Sequence, residues 1–298
     1  MTLTAFDPIV TFTYEAANYS TDTHPNLIGT LHDIECPPGH GWVTSLMGPS
    51  YFGDPNTQAS AQLMVDAGTI GQGVDLDKGA WHVGGPGNQI SFGVEQAGYA
   101  SFTRAQWLGT AAAGVDTYTR PDGTVITWTD QDNTDMQSQL ELVAQLLARL
   151  HVVHGVRLAW LTDTEHRQAA DDYNSGRPAV VTGWVRHRDW TDRQLSNTSH
   201  HDTGDQYPTD VLMAKAIAYA DGTPAPPPTP PKDGFLMALT DAEQTEVRDN
   251  LRWVRTQLEG GSDAFAMMNQ ATIGHGLAAT YSHTNDLLNA DHVHPAGG

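Results

Sequence analysis

The 298-residue sequence has a single cysteine and only 15 lysine and arginine residues against 35 aspartate and glutamate residues. One cysteine, Cys36, excludes an intramolecular disulfide, which is typical of synthesis in a reducing compartment. The formal net charge of −20 predicts a surface that repels nucleic acid and anionic membranes, so we expect no nucleic-acid partner. No run approaches the roughly 18 apolar residues of a membrane helix. With a mean hydropathy of −0.40, these features predict a soluble protein without membrane insertion.

The first twenty residues lack both a basic segment and an apolar segment, so we expect no secretory signal. Toward the other end, "DGTPAPPPTPPKDG" at 221–234 is a proline-rich linker that favours an extended, semi-rigid conformation. We therefore expect a domain over 1–220, the linker over 221–234, and a C-terminal helical region over 235–298. The last region contains the helical stripe Val247, Leu251, Val254 and Leu258.

Within 1–220, apolar segments predict strands at 26–35, 89–98 and 178–187, and two short strands around a turn at 66–68. Apolar residues at 4-3-4-3 spacing predict an amphipathic helix over 136–150, and "TDVLMAKAIAYA" predicts a closing helix. The Gly-, Thr- and Asp-rich segment 113–133 predicts an exposed hairpin or loop. This mixture of strands and helices predicts an α/β fold.

Fourteen histidines make metal chemistry available, and two of them stand in suggestive places. His32 and His187 each end an apolar strand, where a sheet presents side chains to a cleft, and Asp202 follows in the next loop. Two imidazoles and a carboxylate suit a catalytic zinc ion, which keeps a fourth position for water. The same loop contains His200 and His201, and His201 is an alternative ligand to Asp202.

Four segments in order resemble the motifs of the zinc-dependent N-acetylmuramoyl-L-alanine amidases (Amidase_2), whose fold is shared with peptidoglycan recognition proteins. They are "LHDIECPPG", "KGAWHVGG", "NQISFGVEQAGYA" and "HRDW…SHHDTGDQYP". Each motif alone is weak, but their order and spacing match over roughly residues 25–215. The resemblance is greatest to endolysins of tailed phages that infect actinobacteria, and it implies a mixed central β-sheet flanked by helices.

The resemblance also implies a role for each matching residue. His32, His187 and Asp202 match the zinc ligands, and Glu95 matches the acidic residue that helps to activate water. His200 matches a position that steadies the developing oxyanion. Two further residues match groove-lining positions that contact glycan or stem peptide, namely Trp81 and His82.

Three departures from the family pattern stand out. Thr203 replaces the usual proline of the last loop, which predicts a looser loop. Gln62 stands where many members have histidine. The strand that leads to His32 contains Gly29, and because glycine weakens strands, we expect a less rigid edge there.

The resemblance implies hydrolysis of the amide between N-acetylmuramic acid and L-alanine in bacterial peptidoglycan. An endolysin would remain in the host cytoplasm until its release to the wall, and residues 235–298 would bind wall or form a homo-oligomer. One alternative is a peptidoglycan-binding module of the same fold without hydrolysis, and another is a structural virion protein. A kinase is excluded, because "HRD" at 187–189 lacks the asparagine five residues after its aspartate.

Overall fold

The computed structural model describes residues 5–23, 28–49, 51–178, 180–196 and 198–222. The predicted C-terminal helix and nearly all of the proline-rich linker lie outside the described residues.

A six-stranded sheet forms the centre of the described part of the chain. Its strands are β1 Phe12–Thr13, β3 Ile28–Asp33, β4 Leu63–Val65, β5 Ile70–Gln72, β7 Ser91–Gln96 and β10 Gly183–Arg186. Their order is β1–β5–β4–β7–β3–β10, and every neighbouring pair is parallel except β4 with β5. The predicted mixed sheet is therefore confirmed.

Two small antiparallel pairs lie beside this sheet. One joins β2 Tyr19–Thr23 to β6 Lys78–Ala80, and the other is the hairpin of β8 Thr117–Thr119 and β9 Val125–Thr127. The hairpin confirms the exposed hairpin or loop predicted within 113–133. No apolar pattern reveals β1, which has two residues, or β2 and β6, whose sequences are YSTDT and KGA.

The helices of the described residues cover both faces of the sheet. They are α1 Trp42–Met47, α2 Gly87–Ile90, α3 Arg104–Trp107, α4 Asp130–His154, α5 Asp163–Asn174, α6 His187–Asp192 and α7 Thr209–Ala220. Helix α4 confirms the predicted amphipathic helix and extends it at both ends, because Thr129 and Asp132 form a capping box and Gly155 takes a positive φ of 71°. The sequence pattern did not predict α5. None of the described helices has the combination of length and apolar character that spanning a membrane requires.

The two faces of the sheet have different partners because side chains alternate along each strand. On one face Leu31, Phe92 and Val94 belong to the large core cluster that includes the apolar side of α4 and α7. On the other face Ile28 and Val185 pack with residues of α5 and α6. Burying each of these large side chains contributes roughly 1.5–3 kcal/mol, so helices on both faces keep the sheet rigid.

Gly29 has a role that its intrinsic propensity did not predict. Strand β3 is an interior strand between β7 and β10, so Gly29 does not lie at an edge of the sheet, and the lower rigidity expected there stays a prediction. A β-carbon at Gly29 would lie 2.3 Å from the ring of Trp184, its partner in register on β10. The glycine therefore lets a fully buried tryptophan lie against the strand that leads to His32.

Candidate metal centre

The parallel register of the sheet brings the first candidate residues together. His32 of β3 is the register partner of Glu95 on β7, so both side chains leave the same face near the carboxyl ends of their strands. Strand β10 pairs with β3 on its other side, and His187 follows its last residue, Arg186, as the first residue of α6. Ligands of open α/β sheets bind near the carboxyl ends of the strands.

Asp202 reaches the same place from the loop after α6. Its backbone carbonyl accepts a 2.7 Å hydrogen bond from the N–H of Arg188, and its Oδ2 accepts one of 3.3 Å from the N–H of Asp33. Arg186 Nη1 donates to the carbonyl of Gly204 at 3.1 Å, two residues further on. The loop is thus attached to both β3 and β10, and hydrogen bonds replace the fixed backbone that a proline at position 203 would supply.

The three predicted ligands converge through particular atoms. His32 Nδ1 lies 3.2 Å from Asp202 Oδ2, and His187 Nδ1 lies 3.1 Å from Asp202 Oδ1. All three residues are buried, and their potential ligand atoms lie within 4.8 Å of one another. Tetrahedral zinc with bonds of about 2.0–2.1 Å separates neighbouring ligand atoms by roughly 3.3 Å, so this spacing is suitable for the ion.

Burial and charge give each group a defined state at neutral pH. Burial lowers the pKa of His32 to about 4, so its imidazole is neutral. Burial acts to raise the pKa of the Asp202 carboxyl, but hydrogen bonds and positive charge offered by the facing rings of His187 and His32 lower it below its usual value. Burial and the nearby charge of Asp202 raise the pKa of Glu95 well above its usual value.

The hydrogen bonds of His82 determine which nitrogen of His32 carries the proton. His82 Nε2 lies 3.3 Å from the carbonyl of Ser91 and 3.4 Å from its Oγ, whose own proton is donated to Gly87 at 2.7 Å. His82 Nε2 is therefore the donor, and its Nδ1 accepts a 2.9 Å hydrogen bond from His32 Nε2.

The consequence is an arrangement that calls for a cation. With its proton on Nε2, neutral His32 has no N–H to donate to Asp202 from Nδ1, so a cation between the two groups would have to supply the positive charge that keeps the carboxylate ionised. Asp202 Oδ1 is buried and has no hydrogen-bond donor among the described residues. Lone pairs facing an anion in a buried site repel one another unless a positive ion lies between them, so the donor set fits a metal ion.

Glu95 lies beside the three converging residues but is not one of them. Its Oε1 lies 3.9 Å from His32 Nδ1, and its side chain keeps 12% of its exposure. A carboxyl group at this distance, with a raised pKa and some access to solvent, can exchange a proton with a reacting molecule next to the three ligands.

The adjacent histidines of the loop have different surroundings. The ring of His200 stacks on that of His187, with centroids 5.1 Å apart, and His200 is exposed. His201 points elsewhere and lies 3.4 Å from Asp192 through its Nδ1. The geometry favours Asp202 over His201 as the third ligand, which was the alternative left open by the sequence.

The two predicted groove residues also differ. Trp81 keeps 40% of its exposure and is available to a ligand. His82 uses both ring nitrogens on protein atoms, so its surroundings favour support of His32 over direct contact with substrate. Gln62, in place of the histidine of many relatives, bridges backbone groups by accepting from Gly93 and donating to Lys78.

Sequence reasoning missed three residues around the site. Thr198 Oγ1 lies 2.9 Å from His187 Nε2, and Asn88 holds the segment that carries His82. Asp33 is buried with no hydrogen bond to its carboxylate oxygens in the described structure, and burial raises its pKa well above the usual value. Asp33 and Asn88 belong to the motifs quoted above, but only contacts reveal what their side chains do.

Two histidines and a carboxylate at the carboxyl ends of the strands of a mixed sheet form a group that could hold a metal ion, with the kind of ligand found in catalytic zinc sites of hydrolases. The family of N-acetylmuramoyl-L-alanine amidases (Amidase_2) matches residues 23–205. The chain therefore belongs to the N-acetylmuramoyl-L-alanine amidase family, whose members act on bacterial peptidoglycan. The family and enzyme class predicted from the sequence motifs are confirmed.

Solved structures of similar proteins include the catalytic domain of XlyA, with 18% identity, a TM-score of 0.40, and coverage of 69% of this chain and 97% of that chain. The hydrolase AmiA of Staphylococcus aureus, in complex with its ligand, is 15% identical with a TM-score of 0.41 over 68% of this chain and 78% of that chain. The N-acetylmuramoyl-L-alanine amidase LysC from Clostridium intestinale is 13% identical with a TM-score of 0.33 over 69% and 96% of the respective chains. Among curated proteins, no sequence matches this chain.

Proposed function

We propose that the protein is a zinc-dependent endolysin that hydrolyses the amide between the lactyl group of N-acetylmuramic acid and L-alanine. One observation carries the proposal: His32 Nδ1, His187 Nδ1 and the ionised carboxylate of Asp202 converge within 4.8 Å beside Glu95. A family member that only binds peptidoglycan has no need of this complete set.

The three converging residues would hold the ion. When bound, zinc would supply a Lewis acid that polarises a carbonyl group and makes water more acidic. Glu95 would accept the proton of the attacking water as its oxygen adds to the carbonyl carbon. The same carboxyl would then protonate the nitrogen of L-alanine as the carbon–nitrogen bond breaks.

His200 would act in the addition step, when the carbonyl oxygen of the substrate becomes negative. It stacks on His187 at the exposed side of the site, where an N–H of its ring can donate to the oxygen that becomes negative. Such a contact strengthens as charge develops and lowers the barrier. Trp81 would bind glycan or stem peptide through its exposed ring.

Digestion of purified cell wall tests the proposal. The expected products are new amino groups of L-alanine without new reducing sugars, at a rate that chelation abolishes and added zinc restores. Glu95→Gln should bind wall and zinc like the wild type but release few amines. Wall binding without any amine release by the zinc-loaded wild type would instead support the non-catalytic binding module.

We further propose that residues 1–220 form the catalytic domain and that residues 235–298 bind wall or associate with a second copy. Every candidate site residue lies between His32 and Asp202. A protein truncated after Ala220 should therefore bind zinc and cleave soluble wall fragments at near the full rate. It should lyse intact walls much more slowly, because an attached or multivalent enzyme has a higher local concentration at an insoluble substrate. Equal loss of both activities would contradict this division, and sedimentation of the full chain would test self-association.

A further inference from the structure

The short segment 82–84 is connected to both candidate ligand histidines on the side away from Asp202. One connection is direct, because His32 Nε2 donates to His82 Nδ1 at 2.9 Å. Since the carbonyl of Ser91 requires the proton of His82 on Nε2, this contact leaves the Nδ1 lone pair of His32 free to hold a metal ion.

The second connection runs to His187 through two hydroxyl groups. His187 Nε2 lies 2.9 Å from Thr198 Oγ1, and Thr198 Oγ1 lies 2.8 Å from Ser196 Oγ. The Ser196 hydroxyl donates to the carbonyl of Val83, which accepts only. With Ser196 donating to Val83, the Thr198 hydroxyl can donate to Ser196 and accept from His187 Nε2. His187 then carries its proton on Nε2, and its Nδ1 is free to bind the metal ion.

The side chain of Asn88 fixes the segment on which both connections depend. Its Oδ1 accepts three backbone hydrogen bonds, from His82 at 3.1 Å, Val83 at 2.9 Å and Gly84 at 2.9 Å. Gly93 provides the space for this arrangement, because a β-carbon there would lie 2.8 Å from His82 Cγ. One amide oxygen thus sets the position of His82 and of the Val83 carbonyl together.

We propose that Asn88 is a positioning residue for the metal centre, which orients His32 through His82 and His187 through Val83, Ser196 and Thr198. The inference rests on the proposed function, since it presumes that His32 and His187 hold the ion. In the described structure the hydrogen bonds of Asn88 run to the backbone of segment 82–84 and not to His32, His187 or Asp202.

The expected size of the effect follows from other metal sites. Loss of a partner that orients a ligating histidine weakens metal binding by about 10–100-fold. Asn88→Ala removes the support of two such partners and leaves three N–H groups without their acceptor, so we expect a loss of about 100-fold in zinc affinity. Asn88→Asp keeps an acceptor oxygen of the same reach, so it should restore most of the affinity.

The test measures the zinc dissociation constant of the full chain by competition with a chromophoric chelator. Asn133→Ala is the matched control, because Asn133 Oδ1 also holds a loop by accepting from the N–H of Ala111 at 3.0 Å and from Trp128 Nε1 at 2.8 Å. Asn133 contacts none of the site residues named above. Its variant should lower the melting temperature and leave zinc affinity unchanged, whereas Asn88→Ala should weaken zinc binding and alter the absorption spectrum of bound Co²⁺.

Thr198→Val provides an independent measurement, because it interrupts only the connection to His187. It should weaken zinc binding about tenfold, and its effect should be smaller in the Asn88→Ala background because the two changes act on one connection. A folded Asn88→Ala protein with wild-type zinc affinity would overturn the proposal, as would an Asn133→Ala protein that loses as much. If Asn88→Ala does not fold, wild-type affinity in Thr198→Val overturns the route to His187. A wild-type protein that binds no zinc would instead refute the proposed function.

Discussion

The candidate metal centre has two halves that the chain builds in different ways. The strand half consists of His32 and Glu95, which are fixed as register partners on two interior parallel strands. The loop half consists of His187, His200 and Asp202, which follow the end of β10 and are positioned by side-chain and loop contacts. The first half is placed by backbone hydrogen bonds of the sheet and the second by a few specific contacts.

Because of this difference, changes in the two halves should affect the free energy of unfolding to different extents. A change in the strand half disturbs a position that the whole sheet determines and that helices bury on both sides. A change in the loop half affects groups that contacts of side chains and loop backbone hold in place, and one of them, His200, is exposed. We therefore expect the two halves to contribute similarly to metal binding but unequally to the free energy of unfolding.

The largest effect should come from removing a ligand in either half. His32→Ala and His187→Ala should each lose bound zinc and all measurable amidase activity, because a site of three protein ligands rarely survives with two. In metal-free protein, His32→Ala should lower the melting temperature more, since it opens a cavity beneath interior strands and leaves His82 Nδ1 unpaired. Elemental analysis and thermal unfolding measure the two quantities, with exposed His40→Ala as the control. Equal melting temperatures for the two variants would show that both halves contribute equally to the free energy of unfolding, contrary to this prediction.

The next effect concerns the proton carrier of the strand half. Glu95→Gln should keep zinc and lower kcat by about 10²–10⁴-fold, the usual contribution of a general acid–base group. Because the pKa of Glu95 is raised, the metal-free carboxyl takes up its proton at a pH well above 4.5. A bound cation would lower this pKa, because it favours the charged carboxylate. In the wild type, kcat/KM should fall as the pH decreases through the resulting pKa. The variant should lack this acid limb, and full turnover by Glu95→Gln would show that another group is the base.

A smaller effect should come from the exposed part of the loop half. His200→Ala should keep zinc and lower kcat by about 10²-fold, in the range measured for single oxyanion donors. His201→Ala is the natural control, since its neighbour is Asp192 on the surface and not a ligand. Its activity should stay within about twofold of the wild type. Equal losses in the two variants would contradict the assignment of His200 and indicate a general effect on the loop.

A change at His166, which packs against Trp190 of α6, should have the smallest effect on catalysis but a clear effect on the free energy of unfolding. Buried His166 of α5 packs edge-on against Trp190 of α6, with centroids 4.1 Å apart, and its pKa is lowered to about 3 by burial and by Arg193. The unfolded chain therefore takes up a proton near pH 6.5 that the folded protein refuses until about pH 3. The free energy of unfolding should decrease as the pH falls through this interval, by roughly 5 kcal/mol at 1.36 kcal/mol per pKa unit. Urea unfolding at several pH values should show a weaker acid dependence in His166→Gln, and an unchanged dependence would remove His166 as the cause.

The family could be predicted from the amino-acid sequence alone, as could helices α4 and α7, strands β3 and β7, and the order in which candidate residues follow the strands. This was possible because apolar periodicity reports directly on burial in α4, α7, β3 and β7, and because short motifs keep chemical groups at fixed distances along the chain. The residues quoted in those motifs include every candidate ligand, and the structure brings the three of them together.

The contacts of the residues around the candidate ligands became visible only in the folded chain. The sequence did not distinguish Asp202 from His201, did not separate exposed Trp81 from hydrogen-bonded His82, and gave no role to Asn88 or Thr198. It also gave no indication that the missing side chain of Gly29 makes room for Trp184. These roles depend on which atoms meet across the sheet and between loops that are far apart along the chain. Such contacts depend on strand register, side-chain packing and the direction of each hydrogen bond, and the local propensities of the residues predict none of these.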